Sequence, residues 1–377
     1  MLTLCYKLGK APYYPGNKVR MYIKGREKFA DLIDDLRQAR HFIHMQYFIF
    51  RDDNLGCQIR DELVAATRRG VEVRVLFDDM GSWTVNRRFF RNMQKNGIDV
   101  HPFMRVAFPN PSLRINYRNH RKIVVIDGKI GYIGGMNIAD RYVNGDDDHS
   151  WRDTHLRIEG PAVHGLQFSF AIDWSYECKT LLSGDFYFPQ IEPAGDKGIQ
   201  IITSGPIGGW ENIALICQQI VSTASRYVYI QTPYFLPTDT LINALSVAAL
   251  SGIDVRIMIP NRPDSIILRW GSFSYIAQML QAGVRVYLYQ PGVMHAKTIV
   301  ADDEIVSIGS ANFDFRSFEH NFETNALVYD KELALRVKAD FCNDATECHE
   351  TNASEWQDRP WAQKVCESVV RLISPVL

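Results

Sequence analysis

Two stretches of the chain, NHRKIVVIDGKIGYIGGMN at 119–137 and MHAKTIVADDEIVSIGSAN at 294–312, follow one plan. His120, Lys122, Asp127 and Asn137 are matched by His295, Lys297, Asp302 and Asn312, each pair 175 residues apart. A spacing that long, held across four chemically distinct side chains, marks an internal duplication. The chain has 377 residues, enough for two ordinary domains or for one domain duplicated and fused.

The repeat extends to the flanking elements. HFIHMQYFIF (41–50) reads as a buried strand, followed by a helical stretch to Gly70 and the strand VEVRVLFDD (71–79). RYVYIQTPYF (226–235), a helical stretch to Gly252 and IDVRIMIP (253–260) repeat that order. In both copies a glycine ends the helix and an acidic residue enters the next strand. Apolar strands alternating with amphipathic helices predict an α/β fold. Two similar halves are expected, each a mixed, largely parallel sheet flanked by helices, related by a pseudo-twofold axis with the motifs at their junction. The Gly-, Pro- and acid-rich stretch near 180–198 reads as the connection. The expected division is a lead-in at 1–17, halves at 18–190 and 191–348, and a C-terminal helical segment at 349–377.

Strand side chains alternate faces, so His120 and Lys122 point the same way, as do His295 and Lys297. A two-residue turn at Gly128–Lys129 would set His120 against Asn137 and Lys122 against Gly135. One at Asp303–Glu304 would set His295 against Asn312 and Lys297 against Ser310. Each hairpin then gathers an imidazole, an ammonium and an amide on one patch, beside a glycine or serine small enough to admit a phosphate. Two such patches face to face suit a phosphodiester. One neutral imidazole attacks phosphorus while the other, protonated, donates to the leaving oxygen. An ordinary imidazole pKa of about 6.5 makes that mixed protonation accessible near neutrality. Two lysines already supply positive charge, so no metal or other cofactor is expected. A single HxKxxxxD match would read as a strand edge with an incidental histidine; two copies, each followed by GxxN, do not. Asp127 and Asp302 fall at the turns, where capping or ion pairing is an alternative to direct chemistry.

These motifs resemble those of the phospholipase D superfamily, whose signature is HxKxxxxD followed by GGxN or GSxN, in duplicate. The likeness covers roughly 18–345. HMQYFIFRDD (44–53), GGMNIADRY (134–142), WRDTHLRIEGPAV (151–163), YIQTPYFLP (229–237) and SANFDFRSFEHNFE (310–323) resemble the bacterial cardiolipin synthases in particular. The resemblance implies transfer of a phosphatidyl group from one phosphatidylglycerol to another through a phosphatidyl-histidine, giving cardiolipin and glycerol. It implies His120 as nucleophile and His295 as acid, with the reverse left open. Lys122, Lys297, Asn137 and Asn312, with Gly135 and Ser310 beside them, would hold the phosphate. Asp153 and Glu323 resemble the carboxylates that orient the imidazoles, against the plainer reading of surface ion pairs. Alternatives on the same motifs are a hydrolytic phospholipase D, another phosphodiesterase, or a non-catalytic scaffold for lipid phosphate.

Composition narrows the partners. A net charge of -1 weighs against nucleic acid. Seven scattered cysteines without CxxC spacing read as reduced thiols, and Cys342 with Cys348-His349 lacks a fourth metal ligand. No apolar run approaches the roughly 18 residues of a membrane span, whereas synthases of the resembled type carry membrane-spanning helices ahead of the catalytic part. The chain reads either as a short form or as one without those helices, peripheral on the cytoplasmic side of the cell membrane and in contact with its anionic surface. WTVNRRFFRNMQKNG (83–97), with four basic residues and none acidic, reads as a helix inserting Trp83, Phe89 and Phe90 into the bilayer. The favoured reading of the same stretch is an amphipathic helix covering the sheet, its arginines solvated. Trp361, Val365, Val369 and Ile373 at helical spacing read as a C-terminal helix docked on the core, or as a second membrane contact.

Overall fold

Residues 1–105, 116–145 and 150–373 are described by the computed structural model. The first half begins α1 (Leu2–Gly9), β1 (Tyr14–Tyr22), α2 (Gly25–Gln38), β2 (Phe42–Tyr47), α3 (Asn54–Arg68), β3 (Glu72–Asp78), α4 (Arg87–Lys95) and β4 (Asp99–Phe103). It continues through β5 (Arg118–Asn119), β6 (Ile123–Ile126), β7 (Ile130–Gly134), α5 (Arg141–Asn144), β8 (Ser150–Arg152), β9 (His155–Glu159) and α6 (Val163–Cys178). The second half opens with β10 (Lys197–Ser204), α7 (Asn212–Thr223), β11 (Tyr227–Gln231), β12 (Phe235–Leu236), α8 (Asp239–Leu250), β13 (Asp254–Pro260) and α9 (Ile266–Gln281). Then come β14 (Arg285–Tyr289), β15 (Gly292–Met294), β16 (Thr298–Ala301), β17 (Ile305–Gly309), β18 (Phe313–Asp314) and β19 (Asn321–Tyr329). The chain closes with α10 (Lys331–Ala345), β20 (Cys348–Thr351), α11 (Ala353–Gln357) and α12 (Trp361–Ile373).

One sheet of sixteen strands runs through both halves in the order β20-β14-β13-β11-β16-β17-β19-β10-β1-β9-β7-β6-β2-β3-β4, with β5 beside β19. Read outward from the central β10–β1 seam, the two halves repeat the same sequence of elements. The seam is antiparallel, with Tyr14 opposite Ile199 and Asn17 opposite Lys197. Parallel runs occur at β2-β3-β4 and β11-β13-β14, where helices make the crossovers. Hairpins supply the antiparallel ladders between. All six residues of β2 are buried, as a strand covered on both faces requires. The helices expected to end at Gly70 and Gly252 do so, each glycine at a φ of 88°.

The hairpin register differs from the expected one. Ile126 faces Ile130 and Ile123 faces Ile133; in the second copy Ala301 faces Ile305 and Thr298 faces Ile308. Each loop therefore has three residues rather than two, which moves the pairing by one. The cause lies in the motif aspartates. Asp127 and Gly128 take φ of 53° and 67°, and Asp302 and Asp303 take 56° and 58°. This left-handed backbone turns each aspartate carboxylate toward the start of a neighbouring strand. The loop absorbs one extra residue for an anchoring hydrogen-bond set.

Both ends of the chain join the core. Cys5 and Ala11 pack with Ile202 and Ile213 of the second half, and β1 already begins at Tyr14. At the other end β20 pairs with β14, and α12 lies on α9. The face that α12 docks is not the expected one: Val370 and Glu367 are buried, the latter holding Arg359 at 2.6 Å. Trp361, Val365 and Val369 are 77%, 49% and 56% exposed, and the side chain of Ile373 lies outside the described residues. A buried ion pair and Arg371, which donates to the Ser274 carbonyl, decide the helix's rotation here. The apolar spacing alone did not. On α4 the covering reading holds: Phe89, Phe90 and Met93 are buried against the sheet, so neither phenylalanine is free to enter a bilayer. Among the described residues no helix is long and apolar enough to cross a membrane.

Candidate active site

The two motifs meet through strands exchanged between the halves. β5, just before His120, pairs parallel with β19, and the His120 N–H donates to the Phe322 carbonyl at 2.9 Å. Reciprocally β15, just before His295, pairs parallel with β8, and the His295 N–H donates to the Arg152 carbonyl at 2.7 Å. The next residue along each partner strand is a carboxylate. Glu323 of the second half therefore reaches His120 of the first, and Asp153 of the first reaches His295 of the second. The Nδ1 contacts are 2.9 Å to Glu323 Oε1 and 2.6 Å to Asp153 Oδ2. Both histidines and both carboxylates are buried.

The two imidazoles differ in their surroundings. Nδ1 of His120 faces two acceptors, Glu323 and the Ser310 carbonyl at 3.1 Å. It must therefore carry hydrogen, which leaves Nε2 with a free lone pair. Nδ1 of His295 faces one acceptor, Asp153, and one donor, Lys297 Nζ at 3.0 Å. Burial lowers the pKa of both rings; Glu323 works against that at His120, while Lys297 adds to it at His295. Burial raises Asp153 to about 6 against the pull of Lys297. Glu323 lies below its ordinary value: burial opposes this, but His120 and Lys122 outweigh it.

Each motif lysine is buried and turns its ammonium back to the carbonyl of its own histidine. Burial pulls Lys122 down to about 7 and Lys297 to about 8, partly offset by Glu323 at the first and by Asp153 at the second. Lys297 contributes to the depression of Lys122, so the two copies lie within electrostatic reach of each other. The cluster has four basic groups and two acids, all desolvated, and a bound phosphodiester anion would raise the pKa of every base in it.

The small residues border the carboxylates rather than open space. A Cβ on Gly135 would fall 2.1 Å from Asp153 Oδ1, so glycine is required for that carboxylate to reach His295. At the matching position the Ser310 hydroxyl donates to Glu323 Oε2. Asn137 spends its amide on the loops: Oδ1 accepts from the Ile49 N–H and Nδ2 donates to the Tyr142 hydroxyl at 2.8 Å. Asn312 donates to Asp314 at 3.1 Å, and its Oδ1 is buried without a partner among the described residues. One N–H of each amide remains available.

Asp127 and Asp302 stand at the far ends of the hairpins. The Asp127 carboxylate accepts the backbone N–H groups of Arg40, His41 and Phe42, and that of Asp302 those of Ser225, Arg226 and Tyr227. They tie each hairpin to the start of β2 or β11, the capping alternative that their turn positions had allowed.

Several partners carry no signal in the motif spacing. The Phe48 ring meets His120 edge-on at 4.9 Å, while Trp151 lies 5.4 Å from His295. Arg121, between His120 and Lys122, points the opposite way. It grips Asp173 at 2.6 Å and donates to the carbonyls of Ser204 and Glu323, stapling the halves together. Strand alternation predicts its direction; its partners follow only from the fold.

Comparison with known proteins agrees with this geometry. The family described as cardiolipin synthase, PLD-like domain matches residues 32–165 and 216–345, one stretch in each half. The chain is 44% identical over 370 residues to the major cardiolipin synthase ClsA of Bacillus subtilis (strain 168), covering 97% of this chain and 77% of that protein. It is 43% identical over 364 residues to a cardiolipin synthase of Staphylococcus aureus (strain Mu50 / ATCC 700699), covering 96% and 74%. The crystal structure of phosphatidylserine synthase from Haemophilus influenzae Rd KW20 superposes with a TM-score of 0.76 at 15% identity, covering 100% of this chain and 99% of that one, a likeness of fold. With two family matches, one over each copy of the motif, and relatives this similar over nearly its whole length, the chain belongs to the cardiolipin synthase family of phospholipase D-like proteins.

Proposed function

We propose that this protein is a phosphatidyltransferase that joins two molecules of phosphatidylglycerol into cardiolipin and releases glycerol. The observation that carries the reading is the reciprocal pair of buried imidazoles, each held by a carboxylate from the opposite half, with a buried lysine beside each. In the first step His120 Nε2 attacks phosphorus. The bond from phosphorus to the glycerol oxygen breaks, and His295 gives that oxygen its proton, leaving a phosphatidyl group on His120. In the second step the glycerol hydroxyl of another phosphatidylglycerol gives its proton to His295 and attacks phosphorus. The phosphorus–nitrogen bond breaks and cardiolipin leaves. The order of roles is supported by the acceptors around His120 Nδ1, which favour the tautomer that a nucleophile needs. Lys122 and Lys297, with the spare N–H of Asn137 and Asn312, answer the charge on the non-bridging oxygens. Glu323 and Asp153 stabilise the positive rings as they form. Asp127 and Asp302 act as positioning residues through the hairpins. The lipid is reached from the membrane surface, with the protein peripheral to the bilayer on its cytoplasmic side.

Incubation with phosphatidylglycerol vesicles tests this. Cardiolipin and glycerol in equal amounts, with cardiolipin formation reversed by excess glycerol, are the expected result; phosphatidic acid as the main product would make the protein a hydrolase. In wild-type protein quenched during turnover a phosphatidyl adduct should map to His120 by mass spectrometry, and an adduct on His295 would reverse the assignment of roles.

A further inference from the structure

We infer that two loops related by the pseudo-twofold axis form a bilayer-docking rim around the site; the inference rests on the reading of the substrate as a bilayer phospholipid. The loops follow matching parallel strands: residues 79–86 between β3 and α4, and residues 261–265 between β13 and α9. Each exposes apolar side chains in the loop or just after it. Trp83 is 74% exposed in the first, and Ile266 and Ile267, at the start of α9, are 53% and 44% exposed. Exposed apolar tips on both copies of a duplicated fold serve no packing purpose, and a membrane interface is an environment that rewards them.

The rim adjoins the reacting groups. Asp78, which ends β3, accepts the N–H of Asn119, the neighbour of His120, at 2.8 Å. The Ser82 hydroxyl donates to the carbonyl of Phe48, whose ring packs on His120. On the other side Asp264 accepts from the Tyr234 hydroxyl and lies within electrostatic reach of His295 and Lys297. Beside Trp83 is a cleft of about 490 Å³, lined by Phe77, Phe90, Arg87 and Arg91. Asp79 shares this cleft but faces the Arg118 charge. Arg87 and Arg91, together with Arg262 on the second loop, are exposed and have no ion pair among the described residues. Apolar tips, unpaired guanidinium groups and an apolar-floored cleft suit one occupant: the surface of a bilayer containing anionic phospholipid, the arginines at its phosphates and Trp83 among its acyl carbonyls.

Co-sedimentation of the full chain with phosphatidylcholine vesicles, with and without phosphatidylglycerol, tests the rim. Wild type should sediment only with the anionic vesicles. The variant R87Q/R91Q/R262Q should lose about a hundredfold in partitioning, from about 1 kcal/mol for each basic residue at an anionic surface. W83S/I266S/I267S should also bind weakly. Both variants should keep wild-type turnover of a short-chain phosphatidylglycerol dissolved below its micelle concentration. His120→Ala should sediment like wild type, which separates failure of docking from failure of the catalytic reading. The proposal is overturned if wild type ignores anionic vesicles. It is equally overturned if the rim variants sediment normally, or if they lose as much turnover on dissolved substrate as on vesicles.

Discussion

Replacing Glu323 by glutamine removes one charge from the centre of the site and almost no volume. Glu323 is fully buried and faces His120 Nδ1 at 2.9 Å, with further bonds from the Ser310 hydroxyl and from Asn321 at 3.2 Å. In the proposed mechanism the His120 ring becomes cationic in the transition state as its Nε2 bonds to phosphorus. A unit charge about 4 Å from a carboxylate gains about 4 kcal/mol at an effective dielectric near 20. Loss of that term slows the chemical step by about a thousandfold, at about 1.4 kcal/mol per decade. The glutamine amide can also present a donor to Nδ1 and select the wrong tautomer, which adds to the loss. The assay is single-turnover release of glycerol from phosphatidylglycerol vesicles, with circular dichroism and thermal melting as controls on the fold. A variant that melts like wild type and turns over within tenfold of it would refute the assignment of Glu323 to His120.

Further expectations follow from the same contacts. Lys122→Met should abolish activity yet stabilise the fold by roughly 2–4 kcal/mol at pH 6.5, because a folded pKa of about 7 lies well below the unfolded value near 10.4. The unfolded chain binds the extra proton between those values, so wild-type stability should rise with pH across that window. The variant should show a shallower slope, that left by Lys297, as urea midpoints at pH 6.5 and 9.5 would reveal. In kinetics, kcat/KM of wild type should fall as pH rises through about 7 to 8, where Lys122 and Lys297 lose charge in the free enzyme, while the limb in kcat should sit higher because bound phosphate raises both. Asp302→Ala should strip three backbone N–H groups of their acceptor and cost about 1–3 kcal/mol in urea denaturation. Its kcat per folded molecule should stay within a few fold of wild type; a loss as large as that of a histidine variant would return Asp302 to the chemistry. Arg121→Leu leaves Asp173 buried without its cation and should destabilise the protein by about 3–5 kcal/mol in the same assay.

The sequence by itself determined that the fold is duplicated and which side chains each motif sets on one face, because both are written in local patterns. Strand alternation puts His120 with Lys122 and turns Arg121 away, and a fixed offset of 175 residues repeats the set. Gly70 and Gly252, each at a φ of 88°, end the helix before them. Tertiary structure alone decided who meets whom. No local rule pairs β5 with β19 or β8 with β15, and so none assigns Glu323 to His120 and Asp153 to His295 across the halves. The hairpin register escaped for a related reason: the aspartates bond to backbone more than seventy residues away, and that distant anchor sets the loop length. On α12 the apolar spacing marks a stripe, but a Glu367–Arg359 pair on the other face fixed which side turned inward. Periodicity records which residues share a face. Which face is buried depends on a partner surface that exists only once the chain has folded.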